Sequence, residues 1–150
     1  MYAAEDSFCS LSDVEALGQR GAFSDSTRPT QDDVLQFCAL RSAKAQSVIA
    51  EEGLPYTVPS GAFPLTADVD PTLFRLCVAF VALAAAGDVA AARSAPESAD
   101  LPTRATERWA DAKDHLALIR DRARRLAAKG STPTSAAVGS GPLPSVPETW

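Results

Sequence analysis

The stretch from Phe23 to Pro59 constrains the fold more than any other part of the chain. It opens with Phe23-Ser24-Asp25-Ser26-Thr27-Arg28-Pro29, where serine, aspartate and threonine offer local hydrogen bonds and Pro29 forces the residue before it out of the helical region, so it reads as a turn. Thr30 then stands as an N-cap, with Asp32 and Asp33 in the first turn, where the helix dipole favours negative charge. Val34, Phe37, Cys38, Arg41, Ala45, Val48 and Ile49 recur at helical spacing and predict a helix from about Gln31 to Glu52. It leaves through Gly53 into Tyr56-Thr57-Val58-Pro59. Arg41 interrupts the apolar face; its stem packs there while its guanidinium reaches a carboxylate of the chain or a neighbouring subunit.

Three further helices are predicted around this one. Ser12-Asp13-Val14-Glu15 has capping-box form and starts a short helix that ends near Gly18 or Gly21. Asp70-Pro71 is a cap followed by proline at the first helical position, opening a helix to Ala86 or Ala92 that is apolar nearly all round, the pattern of a helix at the centre of a bundle or covered by another subunit. The last helix spans about Thr103 to Ala128, with Trp109, Ala112, Leu116, Ile119 and Ala123 inward, Trp109 as the largest core anchor, and length enough for a strut extending beyond the domain. Residues 53 to 69, rich in Gly and Pro, form a long packed connection in which Tyr56 and Phe63 face a partner. Ser94 to Pro102 is a linker. The expected architecture is all-α: a small helical bundle of about four helices over residues 1–129, followed by a tail, 130–150, that is disordered alone or ordered by a partner. In that tail Leu143, Val146 and Trp150 are apolar groups spaced on a proline-stiffened chain, suited to docking.

The 150 residues carry a net charge of −5, unevenly placed. Residues 1–102 hold six Lys/Arg against fourteen Asp/Glu, and residues 103–129 hold eight against four. An acidic body argues against a nucleic-acid-binding surface over most of the chain. The basic cluster Arg120, Arg122, Arg124 and Arg125 has two readings, dipole complement at a helix C-terminus or contact with a partner or phosphate. The three cysteines, Cys9, Cys38 and Cys77, lack metal-ligand spacing and read as small buried apolar residues. The acidic N-terminus does not read as a secretory signal, and the run Leu76–Gly87 is too short to cross a bilayer. No phosphate loop, nucleophile elbow or zinc motif is spelled out, so no enzyme activity, cofactor or metal is expected. His115 reads as a solvated histidine.

The pattern F-S-x-x-T-x-P-T-x-x-D-V, carried by Phe23, Ser24, Thr27, Pro29, Thr30, Asp33 and Val34, with Gly53, Val58 and Pro59 after it, resembles the head-to-tail connector (adaptor) proteins of long-tailed bacteriophages. Pro96-Glu97-Ser98 ahead of the last helix is also similar to that family. The resemblance covers residues 8 to 128 and implies a structural protein of the virion neck, assembled in the host cytoplasm as a dodecameric ring. The portal protein would lie above it and a stopper or tail terminator below, with DNA passing through the channel without sequence-specific binding and no membrane involved. Arg41, Tyr56, Phe63, Arg122, Arg124, Arg125, Leu143, Val146 and Trp150 are the candidate portal or inter-subunit contacts. The rival reading is a small regulatory or DNA-binding protein whose first two helices form a helix-turn-helix. The aspartates opening its second helix would repel phosphate.

Overall fold

The computed structural model describes residues 7–18, 22–54, 70–93 and 103–130. Those residues form an all-α bundle of four helices: α1 (Leu11–Gly18), α2 (Gln31–Glu51), α3 (Pro71–Ala92) and α4 (Thr103–Gly130), with no strand among them. The helix starts follow local chemistry. At α2 the Thr30 hydroxyl accepts from Asp33 N–H at 3.2 Å and the Asp33 carboxylate accepts from Thr30 N–H at 3.0 Å, a reciprocal capping box. At α3 the Asp70 carboxylate accepts from Leu73 N–H at 3.1 Å, with Pro71 in the first turn. At α1 the cap lies two residues before the one expected. Ser10 N–H donates to the Asp13 carboxylate at 2.8 Å, and Glu15, expected inside a cap with Ser12, instead accepts Phe23 N–H at 2.8 Å. Gly53 closes α2 at φ 90°, a left-handed position that side-chain-bearing residues adopt at a cost.

α3 is the central element. Leu73, Cys77, Phe80, Val81, Ala84, Ala85 and Val89 are all buried on it, and α1, α2 and α4 pack around it. Each large apolar side chain so removed from water contributes roughly 1.5–3 kcal/mol. By length and composition α3 is apolar enough to span a membrane, because its 22 residues tolerate Arg75 and Asp88 within a long apolar window, so the shorter run counted from sequence is no argument on that point. In the bundle 56% of that window is buried.

Two inward faces differ from the periodic expectation. On α2, Ser42 is fully buried and Phe37 only partly so, because the Ser42 hydroxyl accepts Phe8 N–H at 3.1 Å and turns the stripe toward the N-terminal segment. On α4 the buried residues are Ala105, Ala112, Ile119 and Ala123, while Trp109 is only partly buried. Trp109 is therefore not the core anchor. It lies across Gly87 of α3 and donates its indole N–H to Asp88 Oδ1 at 3.1 Å. Nor does α4 project as a strut: Arg108 near its start donates to Leu17 O of α1 at 3.1 Å, and Ala127 near its end lies against Gly53.

A methyl group on Gly87 would come within 2.5 Å of the Trp109 ring. Alanine gains up to about 1 kcal/mol over glycine in a helix interior, but displacing the indole costs about 1–3 kcal/mol in overpacking and strips a hydrogen bond from a carboxylate. Gly87→Ala is therefore expected to lower the melting temperature. In a Trp109→Ala background the same change is expected to raise stability, by about 0.5–1 kcal/mol, as read by thermal or urea unfolding.

Candidate functional site

The residues from Phe23 to Val34 that carry the adaptor resemblance form one structural unit, while Gly53 lies at the far end of α2 and Val58, Pro59 and Pro96-Glu97-Ser98 lie outside the described residues. Phe23 is buried, Ser24 N–H donates to the Thr27 hydroxyl at 3.0 Å, and that hydroxyl lies 2.9 Å from Ser24 O and 2.8 Å from Pro29 O. Gln31 N–H closes the turn on Ser24 O at 3.0 Å, and the Thr30–Asp33 box follows directly, with Val34 buried beneath it. The unit is docked on the end of α3. The Arg93 guanidinium lies 5.8 Å from the centre of the Phe23 ring, and its Nε donates to Arg28 O at 3.4 Å.

The candidate arginines are engaged within the chain. Arg41 forms a two-pronged pair with Asp88, at 3.0 Å from Nε and 2.6 Å from a terminal nitrogen, and this contact holds its guanidinium above its ordinary pKa. Arg122 grips Asp70 in the same way, at 3.1 and 2.9 Å, so the N-cap of α3 is also its anchor to α4. Arg124 pairs with Glu52 at 2.9 Å, Arg120 reaches both Glu51 and Glu52, and Arg125 pairs with Asp121 one turn back on its own helix. Arg125 and Arg124 nonetheless remain 73% and 63% exposed, so a partner can still reach them. Most of the basic cluster thus answers carboxylates at the α2 and α3 ends. Tyr56, Phe63, Leu143, Val146 and Trp150 lie outside the described residues.

An apolar groove of about 360 Å³ runs between α1 and α3, lined by Ala16 and Leu17 on one side and by Val78, Ala79, Ala82 and Leu83 on the other, with Asp13 its only charged lining residue. Sequence reading did not single out these positions. The signal was the all-round apolarity of α3, which exceeds what three neighbours cover. Asp70 and Asp88 were also overlooked as partners, although Asp88 is conspicuous as the one carboxylate within so apolar a helix. α1 packs chiefly on α3 and only slightly on α2, so the first two helices do not form a helix-turn-helix pair. Among the described residues no group of three or more His, Cys, Asp or Glu side chains is gathered as a metal site. Comparison with protein-family models, curated proteins and solved structures finds no match to this chain.

Three carboxylates are held below their ordinary range: Asp70 by the Arg122 hydrogen bond, Glu52 by that of Arg124, and Asp33 by Thr30 N–H. Because the folded values are depressed, the stability they contribute is present above the unfolded carboxylate range of about 4 and is lost as pH falls through the folded values. The melting temperature is expected to be level between about pH 7 and 5 and to fall below about pH 4. Asp70→Asn, which keeps a capping side chain but not the charge, is expected to lower stability at neutral pH and flatten that acid limb. Thermal unfolding across pH reads both effects.

Proposed function

We propose that the chain is a structural adaptor of the head-to-tail connector class, copies of which join into a ring beneath a portal, extend the channel for DNA and carry a stopper or tail terminator below. The observation that carries this reading is the cooperation of the residues on which the resemblance rests. Phe23, Ser24, Thr27, Pro29, Thr30, Asp33 and Val34 form one turn and cap, with Phe23, Pro29 and Val34 buried, docked on α3 and leading into the 21-residue α2.

Two physical features support the assembly. The groove beside α1 leaves apolar surface of α3 open, and a neighbouring copy in a ring is an occupant that would remove it from water. The negative charge of the body suits a channel wall, since like charge keeps a passing duplex from adhering. Tyr56, Phe63 and the tail groups Leu143, Val146 and Trp150 are then the elements offered to the portal, with the exposed edges of Arg124 and Arg125. Such a role is geometric and asks for no catalytic group or cofactor.

Light scattering on the full chain, alone and mixed with the portal protein of the genome that encodes it, tests the reading. A ring-sized complex formed with the portal is expected, weakened in a chain ending at Gly130 and lost in Ala79→Arg, which fills the groove with a charged side chain while circular dichroism stays helical. A monomer or dimer indifferent to the portal would overturn the adaptor reading.

A further inference from the structure

Cys9 and Cys38 are 29 residues apart in sequence, yet the Cys9 thiol donates to Cys38 Sγ at 3.6 Å, and both side chains are buried. The approach is built by the surrounding hydrogen bonds. Phe8 N–H donates to Ser42 Oγ at 3.1 Å, the Ser42 hydroxyl donates to Ser7 Oγ at 3.3 Å, and Cys9 N–H donates to the same Ser7 oxygen at 3.1 Å. Ser42 stands one turn beyond Cys38 on the same face of α2, so the backbone around Cys9 is pinned directly over the Cys38 sulfur. Cys77 lies apart on α3, where burial pushes its thiol up to about 12. Once Cys9 is ionised the Cys38 S–H becomes the donor across the same contact, and this bond to the charged form holds the Cys9 thiol below its ordinary value.

We propose that Cys9 and Cys38 form an oxidisable dithiol site that a small peroxide closes to an intrachain disulfide, stapling the segment ahead of α1 to α2. The Cys9 thiolate attacks a terminal oxygen of hydrogen peroxide, the O–O bond breaks, and with one proton taken up a sulfenic acid and a water result. The Cys38 sulfur then attacks the sulfenic sulfur, the S–O bond breaks, and the Cys38 proton leaves with the departing hydroxide as a second water. Two electrons pass from the two sulfurs to the peroxide oxygens. A resolving thiol already in contact intercepts the sulfenic acid before further oxidation. Access favours Cys9 as the first to react. It sits in the short non-helical stretch before α1, whereas Cys38 and Cys77 are inside helices, and opening a short non-helical stretch costs less than opening a helix. This inference does not depend on the adaptor reading.

The test uses the full-length reduced protein, treated with hydrogen peroxide under native conditions, then denatured, alkylated and examined by mass spectrometry. The expected result is a mass lower by two hydrogens before alkylation, loss of two of the three alkylatable thiols, a peptide pair linking Cys9 to Cys38, and reversal by dithiothreitol. Cys77→Ser is expected to keep the disulfide. Cys38→Ser is expected to leave a Cys9 sulfenic acid that dimedone traps. Three thiols still open to alkylation, a bond that includes Cys77, or crosslinks between chains in place of the internal one would overturn the proposal.

Discussion

Asp88 lies near the C-terminal end of α3, the most apolar helix of the chain, with its side chain mostly withdrawn from solvent. A carboxylate there loses water that only matched donors can replace. Arg41 of α2 supplies two of them and the Trp109 indole of α4 a third. One side chain therefore ties the central helix to both of its long neighbours and sets how far each is rotated about its axis. Gly87 belongs to the same arrangement, since the absence of a Cβ lets the indole lie across the helix at all. The cost of leaving this carboxylate unpaired makes alternative rotations of α2 and α4 unfavourable, so it contributes specificity as well as attraction.

The second constraint lies at the other end of the bundle. Arg122 holds the Asp70 cap, and Arg120 and Arg124 hold the carboxylates that end α2, so α4 straps the N-terminus of α3 and the C-terminus of α2 together. The uneven charge of the chain is in large part an internal complement: basic residues of the last helix answer acidic ends of the earlier ones. That commitment weakens the case for a phosphate-binding patch, as does the position of α1, which packs on α3 rather than beside α2.

The bundle leaves one apolar groove open. The groove between α1 and α3 offers small side chains, Ala16, Ala79 and Ala82, that admit close approach of another surface. The N-terminal segment adds a separate feature. Its serine and cysteine side chains form a small polar cluster over α2, within a core otherwise made chiefly of alanine, valine, phenylalanine, isoleucine and leucine.

Helix number, helix limits and the central place of α3 were legible in the sequence because they rest on local chemistry. Thr30 with Asp33, Asp70 with Pro71, and Gly53 act within a few residues of themselves, and the apolarity of α3 is a property of its own segment. The first cap was misplaced because Ser10 and Ser12 offer similar local chemistry, and the choice fell to Glu15, drawn away to Phe23 N–H eight residues on. Trp109, the buried Ser42 and the partners of Arg41 and Arg122 were not legible in full, since each depends on a residue that sequence distance does not bring near. Periodicity gives a helix an inward face only to within a residue or so of rotation. The sequence by itself determined which segments are helices and where α2, α3 and α4 begin, through short-range hydrogen bonding and apolar spacing. Only the tertiary structure decided which charges meet and which apolar surface stays open, because those depend on how rigid helices pack and on the high cost of burying a charge without its partner.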